Sequence, residues 1–273
     1  MALPPTPFTR NRMTESNEST ADTGHVSYTV SDYVGVIRFC RPKKKNAFTN
    51  AMYRQLSTAM TEAESDQSVR AILFVGAGGA FTAGNDLRDF MESPPTDRES
   101  PVFAVIQRLI YADKPLIAAV EGAAVGIGTT MLLHCDYVVV AEDAVLQMPF
   151  VPLGLTPEAG SSLLLPNLIG LQRASEMLLL GDSFSAQDAH RLGLANRLVE
   201  TGGAEDAGFA AALAFAARPP EALRAAKRLI REPIRAAMQQ TLLDESTTFV
   251  QRLASPEAAE AFSAFFERRK PVF

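Results

Sequence analysis

Tryptophan is absent from the 273 residues, and cysteine and histidine are scarce at two and three. Cys40 and Cys135 each lie in an apolar, strand-like run, and no short Cys/His spacing occurs. That leaves nothing from which to build a disulfide framework or a structural zinc site, so no metal is expected. No stretch approaches the ~20 consecutive apolar residues of a bilayer span, and the N-terminus has no apolar secretory core. The expected location is the bacterial cytoplasm or an organelle matrix rather than the exterior. Excess positive charge is missing too: 26 basic against 31 acidic side chains leave a formal charge of −5. Neither nucleic acid nor an anionic membrane is therefore expected as a partner. Internal repeats are also lacking, which sets aside solenoids and propellers.

What remains is an ordinary globular composition, 47% apolar and 21% charged, in a chain long enough to bury a core without staples. Residues 1–24 are rich in Pro, Thr, Ser and Asn and read as a disordered extension. Arg10 and Arg12 hint at organelle targeting, but Glu15, Glu18 and Asp22 argue against a transit peptide. The runs Val26–Val30 and Tyr33–Cys40, parted by Ser31-Asp32, predict a hairpin. Thr49 is a good N-cap for a helix with Met52, Leu56, Ala59, Met60 and Ala63 on one face, and Ala71–Val75 reads as a buried strand. The pattern continues with a helix near Val102–Tyr111, a strand Leu116–Val120, a short helix from Gly128 and a strand Tyr137–Ala141. Strands alternating with helices predict an α/β core of parallel strands over 25–200. After about Ser161 the pattern turns helical, and 201–273 reads as a helical region with segments near Ala204–Ala217, Pro220–Ile230, Ile234–Leu253 and Pro256–Arg268.

Three segments have the chemistry of a site. The loop Gly78–Leu87 follows a buried strand and packs glycines among small residues, so backbone can come close to a ligand. It lacks the spacing of a dinucleotide fingerprint and the Gly-Lys-Ser/Thr ending of a phosphate loop. A second loop, Gly122–Thr130, leaves an apolar strand and enters an apolar helix, whose free N–H groups favour negative charge in front of them. Two such loops can each aim one backbone N–H at an enolate oxygen. The third, Leu155–Ser162, holds Glu158 among apolar and small neighbours. Thr156 can cap a helix there, with Pro157 at its first position and Glu158 in its first turn, and burial can tune Glu158 as a general base. Ser161 lacks the glycine-flanked elbow of a serine hydrolase, and His134 reads as a core histidine.

The segments Arg41–Ala47, Thr82–Leu87, Val125–Ile127 and Pro157–Ser162 together resemble the crotonase, or enoyl-CoA hydratase/isomerase, superfamily. They are most similar to its peroxisomal-type Δ3,Δ2-enoyl-CoA isomerase branch, and the likeness runs from about Val26 to the C-terminus. The resemblance implies an α/β spiral of stacked ββα units, ending in a helical region used to form trimers or hexamers. It implies an acyl-CoA thioester as substrate, with no further cofactor. By position, the oxyanion donors become the backbone N–H groups of Ala83 and Ile127, and Glu158 becomes the base. Ala83, Gly84, Asn85, Asp86 and Leu87 fall in the loop that wraps coenzyme A, with Ala47 near the nucleotide. Lys45, and Arg268 of a neighbouring subunit, become phosphate partners. Thr130 and Phe150 stand where hydratases of the family have two glutamates, which points away from water addition and toward isomerisation of 3-enoyl-CoA. The alternatives are a hydratase or another CoA-thioester enzyme of the same fold, and a non-catalytic acyl-CoA- or RNA-binding member.

Overall fold

The protein is described here by a computed structural model covering residues 24–96 and 100–273. All of the expected N-terminal extension except Gly24 lies outside the described residues.

The chain opens as an antiparallel hairpin of β1 (His25–Ser31) and β2 (Val34–Cys40). Its turn is Asp32-Tyr33, one residue later than expected, with φ of 50° and 68°. Two left-handed residues make the turn whose twist suits flanking strands, and this lets Ser31 pair with Val34. Thr49 accepts the Met52 N–H at 3.2 Å and caps α1 (Asn50–Ser65), which buries the expected apolar face. Then follow β3 (Ala71–Gly76), α2 (Leu87–Glu92), α3 (Pro101–Tyr111), β4 (Leu116–Val120), β5 (Ala123–Val125), α4 (Ile127–Thr130), β6 (Tyr137–Ala141) and β7 (Val145–Gln147). The last part comprises α5 (Ser161–Ile169), α6 (Leu171–Ser175), β8 (Phe184–Ser185), α7 (Ala186–Arg191), β9 (Arg197–Val199), α8 (Ala204–Ala216), α9 (Pro220–Leu253) and α10 (Pro256–Glu267).

The large sheet runs β1-β2-β3-β4-β6-β9, parallel from β2 onward, and a small sheet runs β5-β7-β8. Successive turns place one strand in each sheet: β4 then β5, and β6 then β7. The turn before them adds a bridge from Thr82 to Ala124. This stacking is the α/β spiral of ββα units that the family resemblance implies, and it sets the loops after β3 and β5 side by side. The large sheet is covered on both faces, so its strands read as unbroken apolar runs. Ile72 and Phe74 join one core with α1 and α3, while Ala71, Leu73 and Val75 join another with α8. Strands β5, β7, β8 and β9 escape sequence reading because each has only two or three residues.

The helical end is present, but the expected break between Pro220–Ile230 and Ile234–Leu253 is not. A single helix, α9, continues through Pro233. A proline deletes one backbone hydrogen bond and crowds the preceding turn, and here tertiary anchors hold that turn in place. Lys227 Nζ donates to Asp136 at 2.6 Å and to the Lys114 carbonyl at 2.7 Å. Arg231 reaches Asp136 at 3.2 Å and the carbonyls of Leu133, His134 and Cys135. Lys227 is buried, so Lys227→Met strands part of the Asp136 charge. The expected loss is about 3 kcal/mol by urea denaturation, the low end for a broken buried pair because Arg231 remains.

Candidate active site

Asn46 ties the first loop to its surroundings. It is buried with φ of 57°, and its side chain accepts the Arg41 N–H and donates to the carbonyls of Ala77 and Ala80 at 2.8 and 2.7 Å. Its own carbonyl accepts the Thr82 hydroxyl at 2.8 Å. Thr82 in turn exchanges backbone hydrogen bonds with Ala123 and Val125, at 2.9 and 3.0 Å, and so joins the first loop to the second. Gly84 lies at that join, with φ of 83°, where a β-carbon would stand 2.6 Å from the Val125 carbonyl oxygen.

The amides differ from expectation at one point. The Ala83 N–H donates to the Lys45 carbonyl at 2.8 Å, because left-handed Lys45 (φ 47°) turns that carbonyl toward it. Ala83 is therefore committed to the fold and is not a free donor. Two residues on, the Asn85 N–H has no acceptor among the described residues, nor does the Ile127 N–H at the start of α4, beyond left-handed Gly126. These two amides flank the Gly84–Val125 contact. The Asn85 side chain is also held, since its Oδ1 accepts the hydroxyl of buried Tyr53.

Asp86 has a structural task. Its carboxylate caps α2 through the N–H groups of Arg88 and Asp89 and pairs with Arg41 at 2.6 Å. Leu87 opens α2, and Ala47 is buried with its carbonyl accepting from Arg41 at 3.2 Å. Lys45 is exposed. Arg268 is exposed and ends α10 in a left-handed turn, φ 55°. The end of α10 lies by α2 of the same chain, for the Arg88 guanidinium is 5.5 Å from the centre of the Phe266 ring. The structure thus gathers Ala83–Leu87, Ala47 and the Lys45 backbone, and leaves the Lys45 and Arg268 charges at the surface.

Glu158 is buried, with 8% of its surface exposed, but it is not in a helix. Ala159 and Gly160 follow it in left-handed backbone, φ 56° and 73°, so α5 begins only at Ser161. The expected Thr156 cap does not form: the Thr156 hydroxyl is buried without a hydrogen-bond partner among the described residues. His134, a core histidine as expected, donates from Nε2 to the Ala159 carbonyl at 2.7 Å, and burial pulls its pKa down to about 4. The Thr130 hydroxyl donates to Glu158 Oε1 at 2.5 Å, leaving Oε2 free among the described residues. Burial pushes the Glu158 carboxyl up to about 8, with the Thr130 hydrogen bond opposing and the nearby Glu245 charge adding to the rise. Phe150 is buried in the core.

A cavity of about 290 Å³ is lined by Asn85, Glu158 and Glu245 and by apolar side chains such as Val102, Ile106 and Phe249. The sequence reading missed Asn46, Tyr53 and Glu245. Asn46 sits within a quoted motif, but Tyr53 and Glu245 lie in helices whose patterns show nothing unusual. Among the described residues, no His, Cys, Asp and Glu side chains gather in a metal-binding group, and no helix is long and apolar enough to cross a membrane.

A spiral of parallel strands, two loop amides without acceptors among the described residues and a buried carboxylate beside an apolar cavity fit an enzyme that works on an acyl thioester. The chain belongs to the enoyl-CoA hydratase/isomerase family, whose model matches residues 29–273, and so to the crotonase superfamily. It is 35% identical over 245 residues to 1,2-epoxyphenylacetyl-CoA isomerase of Escherichia coli, covering 85% of this chain and 92% of that one. It is 34% identical to human enoyl-CoA delta isomerase 2 over 251 residues, 89% of this chain but only 64% of that longer protein. Among solved structures, Pseudomonas aeruginosa OdaA superimposes with a TM-score of 0.87 at 45% identity, covering 89% of this chain and 99% of that one.

Proposed function

We propose that this enzyme isomerises 3-enoyl-CoA to trans-2-enoyl-CoA. Glu158 Oε2 takes a proton from C2, the N–H groups of Asn85 and Ile127 hold the thioester oxygen of the dienolate, and the protonated Glu158 returns the proton at C4. One observation supports this above others: among the described residues, a single buried carboxylate has a free oxygen. Its neighbour Glu245 has both oxygens occupied by Gly160 and Ser162. Thr130, where hydratases have a glutamate, serves to hold Glu158. One free carboxylate suits a proton shuttle, while water addition calls for a second group to position the water. The relative named enoyl-CoA delta isomerase 2 supports the same reading.

In this reading the acyl chain occupies the apolar cavity, no cofactor beyond the CoA thioester takes part, and the phosphates of coenzyme A meet Lys45 and Arg268. Assembly as a trimer or a dimer of trimers, and service in fatty-acid β-oxidation, belong to the same proposal. The test offers purified enzyme a 3-enoyl-CoA and a 2-enoyl-CoA and follows double-bond migration and water addition separately. Migration with little hydration is expected; efficient hydration would return the chain to the wider family with its reaction reassigned.

The base must be ionised to accept a proton, and its pKa in the free enzyme is about 8. The expected pH profile of kcat/KM therefore rises through a half-maximum near that value, falling about tenfold per pH unit on the acid side. A profile flat from pH 6 to 9 would contradict the assignment.

A further inference from the structure

We infer that Glu245, on α9, is a positioning residue for the proposed base: it latches the turn that carries Glu158 and, when ionised, places a negative charge beside it. This rests on the isomerase reading above.

Helix α5 lacks a local cap, because Gly160 at its start has no side chain and Thr156 points elsewhere. The acceptor that its first amides need comes from α9 instead. Glu245 Oε2 accepts the Gly160 N–H at 2.6 Å, and Oε1 accepts the Ser162 N–H at 3.0 Å and the Ser162 hydroxyl at 2.5 Å. Three donors converge on a side chain that is 8% exposed, the arrangement that suits an ionised carboxylate.

The turn has reason to need a latch. Left-handed backbone at a non-glycine residue such as Ala159 is strained and persists only where neighbours enforce it. His134 holds the Ala159 carbonyl on one side, and Glu245 holds the next amide on the other. Both clamps act on the Ala159–Gly160 peptide, one residue beyond Glu158, whose side chain meets Thr130. The latch comes from the helix whose Leu242 and Phe249 line the cavity, so the wall that meets the acyl chain and the turn that bears the base are held as one piece.

The charge acts as well. The groups facing Glu158 are the Thr130 hydroxyl from α4, the Tyr53 phenol from α1, neutral His134 through Ala159, and Glu245 from α9. Of these, Glu245 is the anion. Facing Glu245 are the amides of Gly160 and Ser162 and the Ser162 hydroxyl, with no cation among the contacts.

Glu245→Gln keeps the shape, removes the charge and turns one acceptor into a donor. The full-length variant is expected to lose roughly tenfold or more in kcat with KM within about twofold, as for a misplaced base. The acid limb of its kcat/KM profile should move down by about half a pH unit or more as the like charge disappears. Glu245→Asp, which keeps the charge on a shorter arm, should restore the limb but not the whole of kcat. A purely structural role would lower the unfolding midpoint and leave kcat and the limb at wild-type values, and that result overturns the inference. If Glu245→Gln does not fold, Ser162→Ala replaces it: about a threefold or greater fall in kcat at constant KM supports the latch, and wild-type kcat overturns it. A wild type that fails to isomerise, or an active Glu158→Gln, sinks the isomerase reading. Wild-type behaviour of Glu245→Gln beside an inactive Glu158→Gln sinks the latch alone.

Discussion

Glu158→Gln should lower kcat for double-bond migration by roughly 10²–10⁴-fold, the range for losing a general base. The amide is the same size as the carboxyl and can still accept the Thr130 hydroxyl, so the cavity and the turn should be preserved. What it lacks is an oxygen able to take a proton from C2 and return it at C4. KM should change little, since the binding amides and the apolar wall are untouched. Stability gives an independent check. The folded carboxyl, at about 8, holds its proton where an unfolded one, at 4.5, has lost it. Its contribution to stability is therefore complete below the unfolded value and is lost as pH rises through the folded value. Glu158→Gln should remove that decline, so its unfolding midpoint should vary less than that of wild type between pH 5 and pH 9. Activity within threefold of wild type would remove Glu158 from the mechanism.

Gly84→Ala is expected to disable the pair of amides from behind. Two penalties coincide at this residue. Its φ of 83° is left-handed, and its β-carbon would stand 2.6 Å from the Val125 carbonyl oxygen, a backbone atom with no side-chain freedom to yield. The two loops must separate, and Asn85 and Ile127 flank the point of separation. A displacement near 1 Å costs about 10²-fold when donors must meet a developing charge, so kcat/KM should fall by about that factor, with roughly 1–3 kcal/mol lost in stability. Gly193→Ala is the control, for its φ of 86° is as positive but nothing lies within 4 Å of the added carbon. It should lose about 1 kcal/mol and keep its activity. Equal activity in both variants would mean that the loops tolerate displacement and that their amides do not act together.

The elements legible in the sequence are those whose pattern is long and local. Strands β3, β4 and β6 are apolar on both faces, and α1 carries its cap and its stripe within 17 residues, Thr49 to Ser65. Glu158 was legible as a candidate as well, from its apolar and small-residue neighbourhood together with the family motif around it. Other features were not. Reading Pro233 as a helix break follows from propensity, which here gives way to the grip of Lys227 and Arg231 on the loop ending at Asp136. The helix expected to start at Pro157 and hold Glu158 starts four residues later, at Ser161, because Ala159 and Gly160 take left-handed backbone under clamps from His134 and Glu245.

By itself the sequence determined the alternation of strand and helix, the two small-residue loops, the lone acid and the family to which they belong, all set by neighbours within a few residues of one another. Only the tertiary structure decided which amide is free. Ala83 and Asn85 lie in one motif, and the choice between them rests on a carbonyl from Lys45 brought across by a separate turn. It also decided that Glu245, 87 positions beyond Glu158, touches the turn that bears the base. Hydrogen bonds between segments distant in sequence have no local pattern, so they emerge only when the chain has folded.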